Sequence, residues 1–357
     1  MLESHDSRAS SILNQSSVVG SRDYNRSNRA AVTNIYTDLS MQFIQKHWFL
    51  ASLLLLMAMG FQFANPFEML AEIEWLKWSV VSATMFLMAW PLEFGKLQQS
   101  LARPTAPLLG AAFNLILIPL LVWPLAALAG AELGPGIIIT AATPSTLASA
   151  AVLTRAAGGD DSVAVMVTIL TNATCFFVMP FWIFLQTGDQ IDSTQLVGTI
   201  YKLFFYVVVP IALAQLTRRH RSSAAWATQA KPLLSRLALI GVLAMVFLGA
   251  VKMGLRFENQ TDSPISIYDL LTTVVILVSV HITVFWLGIF TAKTIGLPRP
   301  KQIAIGFSGS QKTLMIGLST AVNLGFNIIP IVMYHSLQLI VDAVFAERLR
   351  EKETPER

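Results

Sequence analysis

The sequence predicts an all-α integral membrane protein, and three observations support that fold class. Of the 357 residues, 54% are hydrophobic and only 13% are charged, whereas about 25% of the residues of a soluble domain are charged. The apolar residues form segments that approach or exceed the roughly 20 residues that a helix needs to cross a bilayer. The basic residues lie mainly on one side of those segments, which is the distribution described by the positive-inside rule.

Polar tails flank the predicted membrane domain. Residues 1–45 are rich in Ser, Asn and Arg and contain no apolar stretch of the kind found in a cleavable signal peptide. We therefore expect this segment to be a disordered cytoplasmic tail. The transmembrane domain is predicted to span residues 46–347, and residues 348–357 are expected to form a short second cytoplasmic tail.

Ten apolar segments follow one another within the membrane domain, and polar residues interrupt the fourth and the ninth. The predicted segments are 46–64, 75–95, 105–129, 134–157, 161–186, 195–217, 233–255, 267–293, 302–322 and 327–347. Prolines inside several of them are acceptable, because neighbouring membrane helices can bond the carbonyls that proline leaves without a donor. Ten spans place both tails on the same side of the membrane.

The distribution of Lys and Arg agrees with ten spans. With the N-terminus in the cytoplasm, 20 of the 25 basic residues lie in inner loops and tails. Lys77, Lys202, Lys252 and Arg256 lie on or near the outer side, and Lys312 lies within the membrane. An odd number of spans would separate the tails and remove this asymmetry. The charges therefore predict that both termini are cytoplasmic, as in a protein of the plasma membrane or the bacterial inner membrane.

Ten segments divide into two sets of five, at about 46–186 and 195–347. An odd number of spans in each set means that the second set enters the membrane in the opposite orientation. The interruptions occupy the fourth place in each set, as an inverted repeat would produce. Secondary transporters bind substrates at such broken helices near the bilayer midplane, so the pattern predicts a transporter.

The first interrupted segment contains small hydroxylated residues around a proline. Pro144 removes a backbone donor, and Ser145, Thr146 and Ser149 follow it. An unwound helix exposes carbonyls that can hold an ion and a helix N-terminus that can hold an anion. Small residues also let helices pack closely, so each residue alone is compatible with either role, whereas the cluster beside proline favours ligand binding.

Three further polar residues are candidate ligands in the neighbouring segments. Thr168 and Asn172 are four positions apart in the fifth segment and therefore share a helical face. Asn114 is isolated in the apolar third segment, where it could be a ligand or a hydrogen-bonding contact between helices. His281 is likewise isolated and is expected to be a packing residue, and Asp342 is expected to be solvated near the inner end of the last segment.

The second interrupted segment is polar at its centre, with Ser308, Ser310, Gln311, Lys312 and Thr313 close together. Ionisable groups at membrane depth are costly and are functional candidates for that reason. The sequence between Asp269 and Asp342 contains no acidic residue, so Lys312 has no partner nearby in the chain. Its partner is then a distant carboxylate, an anionic substrate, or a proton that is gained and lost.

Other classes of protein are not indicated. The sequence contains no HExxH motif, no Gly-rich phosphate loop and no paired acids in the apolar segments, so we do not expect an enzyme. The single Cys175 allows neither a disulfide framework nor a cysteine-based metal site. The net charge of +4 indicates a basic membrane face rather than a nucleic-acid partner, and the composition leaves the oligomeric state open.

The two interrupted segments resemble those of the bile acid:sodium symporter family. The first reads ATPSTLASAAVLTRAAGGDDSVAVMV, and the second reads FSGSQKTLMIGL. The TRAAGG and SQKT motifs and the Tyr-His pair of the last segment are most similar to the branch containing solute carrier family 10 member 7. The resemblance implies ten transmembrane helices in a panel domain and a core domain, with the fourth and ninth helices broken and crossing near the midplane.

The resemblance also implies sodium sites, but several of their positions differ here. The family's sodium-site positions correspond to Asn114, Ser149, Ala150, Thr168, Phe307, Ser308, Ser310 and Gln311. The family's shared glutamate is Phe307 in this chain, the asparagine after the Ala-Ser serine is Ala150, and the asparagine after the glutamine is Lys312. Sodium or a proton is a possible coupling ion, and no metal site is predicted firmly.

Two functions from different classes are compatible with these observations. The first is a secondary active transporter of a small organic anion that works by alternating access, in which Lys312 replaces sodium or couples transport to protons. The second is a membrane regulator of ion homeostasis that does not transport and whose basic cytoplasmic tails bind partners. Positive charge from Lys312 and two half-helix N-termini favours the transporter.

Overall fold

The computed structural model describes residues 48–93, 104–147, 149–187, 192–259 and 265–351. Every regular element in these ranges is helical, in agreement with the predicted all-α fold class. The chain divides into two units, Met1–Ser52 and Leu53–Arg357. Only the start of the first helix is described in the first unit. The predicted N-terminal tail, residues 1–45, lies outside the described residues.

The first helix is followed by a sharp bend that the sequence did not predict. Helix α1 (Trp48–Gln62) is followed by a helical piece over Asn65–Glu72, and the two are bent by 97°. That piece consists of a 3-10 turn and helix α2 (Glu68–Glu72). Helix α3 (Glu74–Ala89) then runs through most of the predicted second segment.

The third and fourth segments form a continuous stretch of helix that one residue divides. Helix α4 (Thr105–Ala112), a π-helical turn, helix α5 (Ile118–Ala126) and a 3-10 turn precede helix α6 (Gly130–Ala142). A 38-residue helix would be about 57 Å long at 1.5 Å per residue, far longer than the roughly 30 Å hydrocarbon core. Gly130 has a φ of 76°, which L side chains rarely adopt, and the chain turns there.

A proline explains the π-helical turn at Phe113–Leu117. Pro119 has no N–H group, so the carbonyl of Leu115 lacks its usual helical donor. The indole Nε1 of Trp182 donates to that carbonyl at 2.7 Å, which re-satisfies it from a neighbouring helix as expected in a membrane protein. A second π-helical turn occupies Phe204–Val208.

The remaining elements include the second half of the first interrupted segment and the whole of the second. They are α7 (Ser149–Ala156), α8 (Asp161–Thr187), α9 (Ser193–Leu203), α10 (Val209–Thr217), α11 (Arg221–Gln229), α12 (Lys231–Asn259), α13 (Ile267–Thr294), α14 (Arg299–Ser310), α15 (Leu314–Leu324) and α16 (Ile329–Glu351). A helix or a helix pair therefore lies at each of the ten predicted segments. Helix α11 was not predicted, and α16 continues past residue 347.

Six helices of the described chain are long and apolar enough to cross a membrane, or seven if the bent N-terminal pair is one span. They are Thr105–Ala142, Asp161–Gln186, Thr194–Thr217, Lys231–Glu258, Ile267–Thr294 and Ile329–Arg350. The length and composition of these helices make the chain an integral membrane protein. The six include α6, the first half of the first interrupted segment, as the end of Thr105–Ala142. The two halves of the second interrupted segment, α14 and α15, have 12 and 11 residues and are too short to be counted.

A pair of glycines brings the second interrupted segment close to α4. A Cβ placed on Gly309 would lie 3.2 Å from Phe113 Cβ and 3.4 Å from the carbonyl oxygen of Gly110. Small residues permit this separation between helices in membranes. The close approach positions Asn114, one residue after Phe113, beside the end of α14.

Candidate functional site

The two interruptions are in direct contact. The first interruption comprises the described residues 143–147, between α6 and α7. The second interruption comprises residues 311–313, between α14 and α15. Thr143, Gln311 and Thr313 have extended backbones, with ψ of 150°, 146° and 134°. The backbone N–H of Thr313 donates to the carbonyl of Pro144 at 2.9 Å. A backbone hydrogen bond therefore joins the two breaks at residues that the sequence singled out.

Lys312 is 2% exposed, and its ammonium is surrounded by oxygen atoms. Nζ donates to the carbonyls of Asn114 and Thr143, each at 2.7 Å, and Asn114 Oδ1 lies 3.4 Å away. Three acceptors match the three N–H bonds of an ammonium group. Within the part of the chain that the structure describes, no carboxylate lies within 4 Å of Nζ. The described contacts of Nζ are therefore hydrogen bonds to oxygen dipoles and include no ion pair.

Gln338 on α16 holds the backbone of Lys312 from both sides. Its Oε1 accepts from the Lys312 N–H at 2.8 Å, and its Nε2 donates to the Lys312 carbonyl at 2.9 Å. Nε2 also lies 2.9 Å from His335 Nδ1. An unwound segment needs partners for its backbone groups inside a membrane. Gln338 supplies both partners at this residue, and the sequence interpretation missed it.

Gln311 connects the two interruptions to a buried carboxylate. Its Oε1 accepts from Ser149 Oγ at 2.9 Å, and its Nε2 donates to Asp342 Oδ2 at 2.6 Å. Its backbone carbonyl accepts from Asn114 Nδ2 at 2.8 Å. Three of the predicted site residues therefore share one network with Asp342.

Asp342 and His281 form a buried pair, which corrects two expectations. Asp342 is fully buried rather than solvated, and its Oδ1 lies 2.9 Å from His281 Nε2. His281 is therefore not an isolated packing residue. The signal that was missed is spacing: Tyr334, Gln338 and Asp342 are four residues apart and share one face of the apolar helix α16.

The hydrogen bonds around His281 and Asp342 require one proton between these two side chains. Tyr334 OH donates to the carbonyl of Ser310 at 2.7 Å, so its oxygen can only accept from His281 Nδ1, 3.3 Å away. Asp342 Oδ2 already accepts from Gln311. The short contact between Nε2 and Oδ1 then needs one shared proton, and the histidine–aspartate pair is neutral overall.

Side chains of α8 hold the first interruption. Thr168 Oγ1 donates to the carbonyl of Thr146 at 3.1 Å, and Asn172 Nδ2 donates to the carbonyl of Ser145 at 2.8 Å. Thr171 Oγ1 accepts from the Ser145 N–H at 3.2 Å. Ser145 Oγ and Asn172 Oδ1 are buried, and the described structure gives neither a hydrogen-bond partner. Thr168 and Asn172 therefore share a helical face, as expected, and both bond backbone carbonyls of the first interruption.

The hydroxyls at the end of α14 bond within their own helix. Ser308 Oγ donates to the carbonyl of Ala304 at 2.6 Å, and Ser310 Oγ donates to the carbonyl of Gly306 at 2.8 Å. Thr313 is buried and contributes the backbone bond between the breaks. Phe307 is fully buried and packs on Phe285 with ring centroids 4.9 Å apart, so position 307 is part of an apolar cluster.

Comparison with known proteins points to one family. The SBF-like CPA transporter family matches residues 47–351. An uncharacterized protein of Pseudomonas aeruginosa is 28% identical over 251 residues, covering 68% of this chain and 71% of its own. Sodium/bile acid cotransporter 7-A of Xenopus laevis is 22% identical over 330 residues, with coverage of 86% and 92%. Putative symporter YfeH of Escherichia coli is 25% identical over 228 residues, with coverage of 61% and 65%.

Proposed function

Because this chain belongs to the SBF-like CPA transporter family, we propose that it is a secondary active transporter of a small organic anion. The observation that carries the proposal is the Lys312 ammonium, which is buried where the two interruptions meet and has only oxygen dipoles around it. Relatives named as a cotransporter and a symporter support the class of activity. The chain is then a membrane transporter rather than an enzyme.

The proposed architecture is ten transmembrane helices in two inverted repeats, at about 46–186 and 195–347. A helix or helix pair at each segment and the contact between the two interruptions support it. The panel and core domains of the bile acid:sodium symporter family and the cytoplasmic position of both termini belong to this proposal. So does location in a plasma membrane or a bacterial inner membrane.

Charge at the interruptions favours an anionic substrate. Helices α7 and α15 begin directly after the breaks, at Ser149 and Leu314. The N-terminus of a helix carries partial positive charge and unpaired N–H groups. Lys312 adds a full charge beside the start of α15. A carboxylate, sulfonate or sulfate group would therefore be favoured here over a cation.

We also propose that Lys312 takes the place of a coupling sodium ion. A sodium site needs several oxygens and, inside a membrane, compensation of its charge. At this site an ammonium already lies among the oxygens of Asn114 and Thr143, and a second cation there would be repelled. The position of the family's glutamate is the buried Phe307. The residues present fit a fixed cation better than a mobile one. In the alternative, the amine of Lys312 releases and regains a proton during transport.

Ligand binding in sodium-free buffer tests this function. Purified protein in detergent would be screened by thermal shift, in choline salts, against bile acids and other carboxylates and sulfates. We expect a saturable rise in the melting temperature with at least one anion, unchanged by added sodium and absent in Lys312→Met. Lys293→Met, which removes an exposed lysine at the end of α13, is the matched control and should respond as the wild type does.

Two outcomes would overturn the proposal. Stabilisation by an anion only when sodium is present would contradict the replacement of sodium. Stabilisation by none of the solutes would favour the regulator of ion homeostasis instead.

A further inference from the structure

Helix α11 lies at one end of two membrane-crossing helices. The spans Thr194–Thr217 and Lys231–Glu258 are joined by 13 residues that contain α11. A connection that short starts and finishes on the same side of the bilayer. Helix α11 (Arg221–Gln229) is therefore located at a membrane–water boundary, where the positive-inside rule predicts the cytoplasmic face.

Contacts with the end of α3 hold α11 in place. Arg218 Nη1 donates to the carbonyl of Trp90 at 3.0 Å, and Trp90 Nε1 donates to Ser223 Oγ at 3.2 Å. The rings of Trp90 and Trp226 pack with centroids 4.9 Å apart. Arg218 therefore has a structural role, because it helps to hold α11 against the end of α3.

Basic side chains of the connection and of the start of α12 face outward. Arg219 and Arg221 on the connection and Lys231 and Arg236 on α12 are exposed. Among the residues that the structure describes, no carboxylate lies within 4 Å of any of them. The sequence has no acidic residue between Asp192 and Glu258. We call these four residues the α11 basic cluster. Within the described residues, this positive surface at the boundary of the membrane has no ion-pair partner.

Apolar side chains border this cluster on the side of the spans. Leu213 and Leu216 on α10 and Leu233 and Leu237 on α12 are each more than 40% exposed. Trp226 is 47% exposed, and tryptophan concentrates at the level of the headgroups. A soluble anion would contact only the basic side chains. A phospholipid has a negative headgroup next to apolar chains, which matches basic residues at the boundary next to exposed leucines on the spans.

We propose that the α11 basic cluster binds the headgroup of an anionic phospholipid while Trp226 and the adjacent leucines contact its acyl chains. The inference concerns the cytoplasmic boundary rather than the two interruptions, so it does not depend on which solute is transported. Lys and Arg clusters close to the membrane surface are attracted to anionic lipid. The bound lipid would fix the end of α3 against α10 and α12.

Lipid titration of the purified protein in a neutral detergent tests the proposal. We expect phosphatidylglycerol to raise the melting temperature more than phosphatidylcholine does. The triple variant Arg219→Gln, Arg221→Gln, Lys231→Gln should lose at least half of that difference. The matched control is Lys293→Gln, Arg299→Gln, Lys301→Gln, which removes the same charge from the end of α13 and the start of α14 and should keep the difference.

Several outcomes would overturn the inference. An equal loss in both triple variants would mean that net charge alone matters, and no loss in the first variant would remove the cluster from lipid binding. Full stabilisation by inorganic phosphate at the same concentration would point to a free anion. If the triple variant is not recovered folded, the single Arg221→Gln variant is measured in the same way, and an unchanged lipid difference contradicts the proposal.

Discussion

The first and second interruptions have similar backbones but are held by different chemistry. The first interruption is bonded by neutral hydroxyl and amide groups of α8, chiefly Thr168 and Asn172. The second is bonded by α16 through Gln338 and, by way of Gln311, by the Asp342–His281 pair. The only ionisable side chain within either break is Lys312. The comparison shows that neutral side chains can bond the backbone of either break, whereas an ionisable side chain belongs to the second interruption alone.

The largest stability effect is expected at Asp342. In Asp342→Ala both His281 Nε2 and Gln311 Nε2 lose their partners in a buried site, at a cost of about 3 kcal/mol or more. Asp342→Asn should cost much less, because its amide can donate to His281 and accept from Gln311. The free energy of unfolding in mixed micelles would measure both variants. Equal losses would contradict the assignment of one proton to the histidine–aspartate contact.

A smaller loss in the free energy of unfolding is expected for a substitution at the first interruption. Asn172→Ala removes the donor to the carbonyls of Ser145 and Thr168, at a cost of about 2 kcal/mol. Thr174→Ala removes an exposed hydroxyl that bonds only within its own helix and should cost well under that. The same unfolding experiment compares them. If Asn172→Ala is more damaging than Asp342→Ala, the proposed difference between the two breaks is wrong.

The smallest loss of stability is expected when the hydrogen bond between Ser149 on α7 and Gln311 in the second interruption is removed. Ser149→Ala loses the donor to Gln311 Oε1 at 2.9 Å and a longer contact with Thr146 Oγ1 at 3.4 Å, which predicts a loss of about 1 kcal/mol in the free energy of unfolding. Ser336→Ala, whose hydroxyl bonds to a carbonyl of its own helix turn, is the control with little expected change. Indistinguishable melting temperatures for the two variants would show that this link contributes nothing to the contact between the interruptions.

The sequence was informative where local rules apply. Pro144 and the polar run around Lys312 marked the two breaks, because a missing donor and a buried charge are visible in the chain itself. The helical segments followed from hydropathy. Helix α11 was missed because its nine residues carry no apolar run. The bend after α1 was missed because it lies between two apolar stretches.

The partners of the site residues could not be read in the same way. The contact of His281 with Asp342 joins α13 to α16 across 61 positions of the chain, and nothing local specifies that packing. The sequence offered a distant carboxylate, an anion or a proton as the partner of Lys312. The structure shows carbonyl oxygens of Asn114 and Thr143 around its ammonium. Backbone carbonyls are present at every residue, so a sequence cannot indicate which two will meet a buried lysine.

Uptake into proteoliposomes tests the central claim most directly. An anion identified by its binding to the wild type would be presented to vesicles with and without an inward sodium gradient, for the wild type, Lys312→Ala and the control Lys293→Ala. We predict uptake by the wild type and the control in the absence of a sodium gradient, and none by Lys312→Ala. Uptake that requires the sodium gradient and persists in Lys312→Ala would contradict the account.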